Sequence, residues 1–244
     1  MSEITSMETK KTARFYLKTL PCEEKVRITG EEARHMKVRR LARGDSVCLF
    51  DGQGNEILGT IEAMEDGEVV IKVLGRQKVS SEGIFTALAT AIPKGKRMDW
   101  LVQKATELGV GVIIPIVSHR AVVKPRGWQK GERWQTIMIE AAKQCKRAIV
   151  PEILPHVNID DILNEKGYDL KLALMPESEK KIKEVLRERK PEKILCLIGP
   201  EGGFTDDETR KIKAAGFIPV NIGKNILRIE TAGAAVLSMI SYEY

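Results

Sequence analysis

Ile84-Phe85-Thr86-Ala87-Leu88-Ala89-Thr90-Ala91-Ile92 is a continuous, mostly apolar run with no polar alternation. A half-buried strand alternates; a strand covered on both faces does not. A helical stretch follows from about Lys96 to Leu108, and a second apolar strand occupies Val110–Val117. Strand, helix, strand is the unit of a parallel sheet with helices on both faces. Working toward the C-terminus, a long helix is expected over Lys130–Ala148, stopped by Pro151. Next come a helix near Ile159–Glu165, a strand Asp169–Met175, a helix Glu177–Lys190 and a strand Lys193–Ile198. A helix Asp206–Ala215, a strand Phe217–Ile222 and an apolar helix Thr231–Tyr242 close the chain.

Working the other way, Gln77–Gly83 is polar and aperiodic and reads as a linker. Before it the pattern is β-rich, with runs at Ala13–Leu17, Val47–Phe50, Glu56–Glu62 and Glu68–Leu74. Asp51–Asn55 is a hairpin turn, and its lone Gly-x-Gly is no nucleotide motif. Gly30–Leu41 reads as a helix with acids at its start and bases at its end, in keeping with the helix dipole. The expected fold class is therefore α/β: a small barrel-like β domain over residues 1–76, then an α/β domain over 83–244.

The 244 residues are 43% hydrophobic and 30% charged, which excludes a disordered chain. No run approaches the length of a membrane span, and Met1–Lys11 has no apolar core for a secretory signal, so a cytoplasmic location is expected. Cys22, Cys48, Cys145 and Cys196 are scattered, and His35, His119 and His156 lack metal-ligand spacing. Free thiols and no metal are expected. The net charge of +6 is unevenly held. Residues 76–150 carry 14 Lys and Arg against 5 Asp and Glu, while the segments on either side are slightly acidic. A localised basic segment suits a polyanion, although a solvated lysine-rich face has the same composition.

Two loops could carry chemistry. Ile198-Gly199-Pro200-Glu201-Gly202-Gly203-Phe204 leaves the carboxyl end of an apolar strand, where open α/β sheets bind ligands. Thr205 and Glu208 form a capping box that starts the next helix. A plain strand-to-helix turn fits this spacing equally well, and the P-loop Lys-Ser/Thr is missing. Ile222-Gly223-Lys224-Asn225-Ile226-Leu227-Arg228-Ile229-Glu230-Thr231-Ala232 also joins a strand to a helix. It sets Arg228 and Glu230 in an apolar segment, as working groups or as one ion pair across the turn. Glu201 is expected to hold the glycine turn through backbone N–H groups. Trp100 and Trp134 sit among the basic residues, and core or interface positions are expected for both.

Beyond these loops, Lys104-Ala105-Thr106-Glu107-Leu108-Gly109-Val110, Glu132-Arg133-Trp134, Glu140–Cys145, Gly199–Gly203 and Ile226–Ala232 together resemble the small-subunit ribosomal RNA uridine N3-methyltransferases of the SPOUT superfamily. Arg34–Arg40 resembles the same family's basic helix with altered spacing. The likeness runs in order over nearly the whole chain. It implies a PUA-like first domain and a SPOUT second domain with a deep C-terminal trefoil knot. It also implies a homodimer acting on small-subunit ribosomal RNA or the assembled subunit, with S-adenosylmethionine as cofactor and neither membrane nor metal as partner.

Residue by residue, the resemblance places Met175, Ile198, Gly199, Glu201, Gly203, Ile222, Gly223, Leu227, Arg228, Thr231 and Ala232 around the cofactor. Ile229 departs from the family, where many members carry Thr. Arg228 is the candidate catalytic cation, with Glu230 to orient it or take a proton. Arg14, His35, Arg39, Arg40, Lys94, Arg97, Lys104, Arg120 and Arg147 form the expected RNA footprint. Another target base, a ribose 2′-hydroxyl, or a non-catalytic ribosome-assembly role are the competing expectations.

Overall fold

The computed structural model describes residues 12–65, 67–80, 83–123 and 131–244. The expectations about Met1–Lys11, and the start of the long helix at Lys130, lie outside these residues. The chain forms two compact units, Met1–Ser81 with Ala142–Val150, and Glu82–Ala141 with Pro151–Tyr244.

In the first unit, β1 (Ala13–Tyr16), β2 (Lys25–Thr29), β3 (Ser46–Phe50), β4 (Asn55–Glu65) and β5 (Glu68–Lys78) make one sheet in the order β1-β3-β4-β5-β2. Only the β1–β3 pairing is parallel. Val26 and Ile28, then Val69 and Ile71, alternate inward and join Phe15, Leu49, Ile57 and Ile61 in one core. Helix α1 (Gly30–Val38) adds Ala33 and Met36 to it. The helix ends three residues before the expected Leu41, and Arg40 takes a left-handed φ of 56° just beyond it. Strand β2 went unread in the sequence because five residues with two apolar positions give a weak signal. Strand β5 runs on to Lys78, into the segment expected to be linker.

The second unit holds a fully parallel sheet in the order β12-β10-β11-β6-β7-β8, with β9 also paired to β7. Its strands are β6 (Phe85–Ala91), β7 (Val112–Val117), β8 (Glu152–Ile153), β9 (Val157–Asn158), β10 (Leu170–Leu174), β11 (Lys193–Ile198) and β12 (Ile218–Val220). Ala87, Leu88, Ala89, Leu195, Cys196 and Leu197 are fully buried, as a two-faced strand requires. The two-residue strands β8 and β9 were too short to read from sequence.

The helices are α2 (Arg97–Glu107), α3 (Gly131–Cys145), α4 (Ile159–Leu163), α5 (Ile182–Arg187), α6 (Asp206–Ala214) and α7 (Ile229–Glu243). Helix α5 is far shorter than the expected Glu177–Lys190. Residues before it bond to β12 and the residue after it instead: the Ser178 hydroxyl donates to Pro219 O at 2.9 Å, and Asn221 N–H donates to Lys180 O at 2.9 Å. Backbone groups used across the sheet edge are lost to a helix. Helix α7 begins two residues earlier than expected, which places Arg228 at its N-cap and Glu230 in its first turn. Its buried face carries Ile229, Val236, Leu237 and Ile240, each contributing roughly 1.5–3 kcal/mol on burial. A Cβ on Gly233 would meet Leu101 of α2 at 2.5 Å, so the small residue there serves close packing within the chain.

Candidate active site

Strands β12, β10 and β11 are neighbours and all parallel, so the loops leaving their carboxyl ends emerge along one edge of the sheet. Between those loops and the start of α7 lies a cleft of about 320 Å³. Leu174, Met175 and Pro176 come from the end of β10, Ile198, Gly199, Glu201 and Gly203 from β11, and Ile222, Gly223, Leu227 and Arg228 from β12. Ala232 and Ile229 close it from the helix. The structure thus brings together every residue expected around the cofactor except Thr231, whose side of the helix turns elsewhere. Pro176, Phe204 and Asn225 also line the cleft and were not foreseen. Phe204 packs so closely on Gly199 that a Cβ there would lie 2.9 Å from its ring, a contact that the spacing of the loop does not reveal.

The glycine turn is fixed by its own backbone and by a distant arginine. Gly203 N–H donates to Pro200 O at 2.8 Å, with Gly203 at a left-handed φ of 67°. Arg120, beyond β7, donates from Nη1 to Gly202 O at 2.9 Å and to Phe204 O at 3.3 Å. The capping box at Thr205 forms as expected, and Glu208 additionally accepts the His119 N–H at 2.8 Å. Glu201 does not perform the expected service: its carboxylate faces Arg97 at 3.7 Å rather than the turn's N–H groups.

Nor do Arg228 and Glu230 form the ion pair considered above. Arg228 occupies the N-cap position without a side-chain cap bond and stays exposed, while the helical rotation carries Glu230 inward to 8% exposure. Glu230 Oε2 is buried with no hydrogen-bond partner among the described residues. Glu230 and Thr231 face a second, more open concavity of about 670 Å³, walled by Lys94, Gly95, Lys96, Arg97 and Trp100. Trp134 is buried, and its Nε1–H donates to Asp99 at 3.1 Å; Trp100 is 43% exposed, which excludes the core half of the expectation.

The family model for an RNA methyltransferase domain matches residues 81–241, and that for an RNA methyltransferase PUA domain matches 28–74. The chain is 32% identical to the ribosomal RNA small subunit methyltransferase E of Bacillus subtilis over 228 residues, 88% of this chain and 89% of that one. It is 30% identical to the enzyme of that name from Aquifex aeolicus, covering 86% and 90%. The crystal structure of the Neisseria gonorrhoeae ribosomal RNA small subunit methyltransferase E bound to S-adenosylmethionine superposes with a TM-score of 0.85 at 31% identity, over 95% of this chain and 97% of that one. The chain belongs to the ribosomal RNA small subunit methyltransferase E family.

Within this family member the expected RNA footprint divides by environment. Lys94 and Arg40 are exposed, and Arg39 is exposed over the Phe15 ring at 5.8 Å. His35 lies between Glu31 and Glu32, and Lys104 pairs with Glu107 at 2.8 Å. Arg14 is part-buried against Glu56 at 2.6 Å and also donates to Arg147 O, so its guanidinium is engaged inside the first unit. Burial lowers the Arg147 pKa.

Proposed function

We propose that this chain transfers a methyl group from S-adenosylmethionine to N3 of a uridine in small-subunit ribosomal RNA. The family supports ribosomal RNA methylation with this cofactor, and the reading rests above all on the convergence of three strand-end loops on one cleft. The residues of that cleft fit the cofactor. Leu174, Met175, Ile198, Ile222 and Leu227 offer apolar walls for a flat purine. A Cβ on Gly223 or Gly203 would project into open space, so both glycines keep room free. The volume lies in the range of small-molecule sites, roughly 300–1,000 Å³.

When bound, S-adenosylmethionine supplies a methyl group on a positively charged sulfur. The chain's task is alignment of the acceptor and removal of a proton, because uridine N3 is a poor nucleophile while protonated. Arg228, an exposed guanidinium lining the cleft, would stabilise negative charge on the uracil as that proton leaves. Residues 83–244 would carry the methyltransferase domain and 1–76 the PUA-like RNA-binding domain. The trefoil knot, a cytoplasmic location and a homodimer belong to the same reading. For the homodimer, half-buried Ala234, Ala235 and Met239 and the exposed Tyr242 offer surface on α7. Calorimetric titration of the purified protein with S-adenosylmethionine tests the reading: a single site per chain is expected, and absence of heat would leave a non-catalytic RNA-binding protein.

A further inference from the structure

The concavity beside the cofactor cleft combines features that an ordinary protein surface does not. Among the described residues no group donates to the buried Glu230 Oε2, which is costly for a carboxylate oxygen unless a ligand completes it. Trp100 leaves much of its indole exposed at the same concavity. Lys94, Lys96 and Arg97 wall it with positive charge. Strands β6 and β11 are paired with Thr90 opposite Ile198, so the loop carrying these cations leaves the same sheet edge as the glycine turn. The Arg97–Glu201 contact at 3.7 Å ties the two loops together. One turn of α7 serves both spaces, with Ile229 and Ala232 toward the cleft and Glu230 and Thr231 toward the concavity.

From this juxtaposition we propose that the concavity is the docking site for an extruded pyrimidine nucleotide of single-stranded RNA that carries a ring N–H. Trp100 stacks on the base, Lys94, Lys96 and Arg97 neutralise the adjacent phosphates, and Glu230 accepts the hydrogen bond of the ring N–H. Each role follows from general chemistry. Every base presents a π-face to an aromatic ring, extruded bases are read on their Watson–Crick edge, and an acceptor-only carboxylate distinguishes uracil, which has N3–H, from cytosine, which does not. The inference rests on the proposed function and adds to it the place where the target base is held and the group that selects it.

The experiment is a titration of the full chain with short single-stranded oligoribonucleotides that differ only at one central position: uridine, cytidine or N3-methyluridine. The uridine oligomer is expected to bind about 10-fold more tightly than the other two, the scale of one bidentate or charge-assisted base contact. Glu230→Met keeps the bulk, removes the acceptor and should abolish that preference. Trp100→Ala should weaken all three oligomers by about 10-fold, the scale of one lost stacking platform, and Trp100→Phe should retain most of the affinity. S-adenosylmethionine is titrated in parallel and should bind every variant as it binds the unaltered chain. Normal cofactor binding and ribosomal RNA methylation with no uridine preference, or with a preference indifferent to both substitutions, overturns the docking site and leaves the proposed function standing. An unaltered chain that neither binds the cofactor nor methylates ribosomal RNA overturns both.

Discussion

Arg120 donates to the carbonyl of Gly202 at 2.9 Å, fastening the glycine turn after β11 to the segment that follows β7. This side chain was expected in the RNA footprint, yet its geometry is that of a clamp on the glycine turn that lines the strand-end cleft. Arg120→Ala should therefore raise the dissociation constant for S-adenosylmethionine by roughly 3–10-fold, the worth of one or two exposed hydrogen bonds. Calorimetry checks this. An unchanged cofactor affinity with a reduced salt dependence of RNA binding would return Arg120 to the footprint.

Gly223 and Gly203 separate space from strain. A Cβ at either meets nothing within 4 Å, but only Gly203 has a left-handed φ. Gly223→Val should abolish cofactor binding and leave the thermal unfolding midpoint in place. Gly203→Val should lose binding and stability together, since a β-branched residue is strained at φ > 0. If Gly223→Val binds normally, the ligand does not occupy this part of the cleft.

Lys143, 5% exposed, gives its ammonium to Glu32 at 2.6 Å, with both residues inside the first unit. Glu32→Ala removes that partner and should destabilise the protein by about 1–3 kcal/mol, the penalty of a buried polar group left short of a hydrogen bond. Denaturant unfolding measures the loss. A double replacement of Glu32 and Lys143 by apolar residues should recover much of it.

Burial pushes the thiols of Cys48 and Cys196 from an ordinary value of 9.0 up to about 12. A raised pKa keeps both as thiols through neutral and mildly alkaline pH, and the thiolate is the reactive form. Alkylation of the folded protein near pH ~8 should label exposed Cys22 first and half-buried Cys145 next, and leave Cys48 and Cys196 untouched until denaturant is added. Peptide mass mapping reads the order directly.

Charge reversal at Arg39 or Arg97 should weaken RNA binding and lower its salt slope by about 1, the effect of one lost phosphate contact. Cofactor affinity should stay unchanged for Arg39→Glu. A salt slope equal to that of the unaltered chain would remove these residues from the footprint.

The long two-faced strands and the capped helices were legible because their signals are local: the run at Ala87–Ala91 and the Thr205–Glu208 box are read within a few residues. The cleft was legible from the two glycine loops, whose residues face one another as their positions after parallel strands require. What escaped was non-local. Sequence does not show that Arg120 reaches across to Gly202, that Ser178 and Asn221 divert residues from α5, or that an earlier start to α7 turns Glu230 inward and parts it from Arg228. Arg14 misled for the same reason, since a basic residue in a β-rich segment looks like surface until its partner Glu56 is found 42 positions away.

The central claim is tested most directly by nucleoside mass spectrometry of small-subunit ribosomal RNA after unmethylated subunits are incubated with the purified protein and S-adenosylmethionine. The account predicts one new N3-methyluridine, lost by roughly 100-fold in rate with Arg228→Ala, the scale of removing a group that stabilises developing charge, while cofactor affinity changes little. Methyl groups on another base or on a ribose 2′-hydroxyl, or no incorporation by a protein that binds the cofactor, would contradict it.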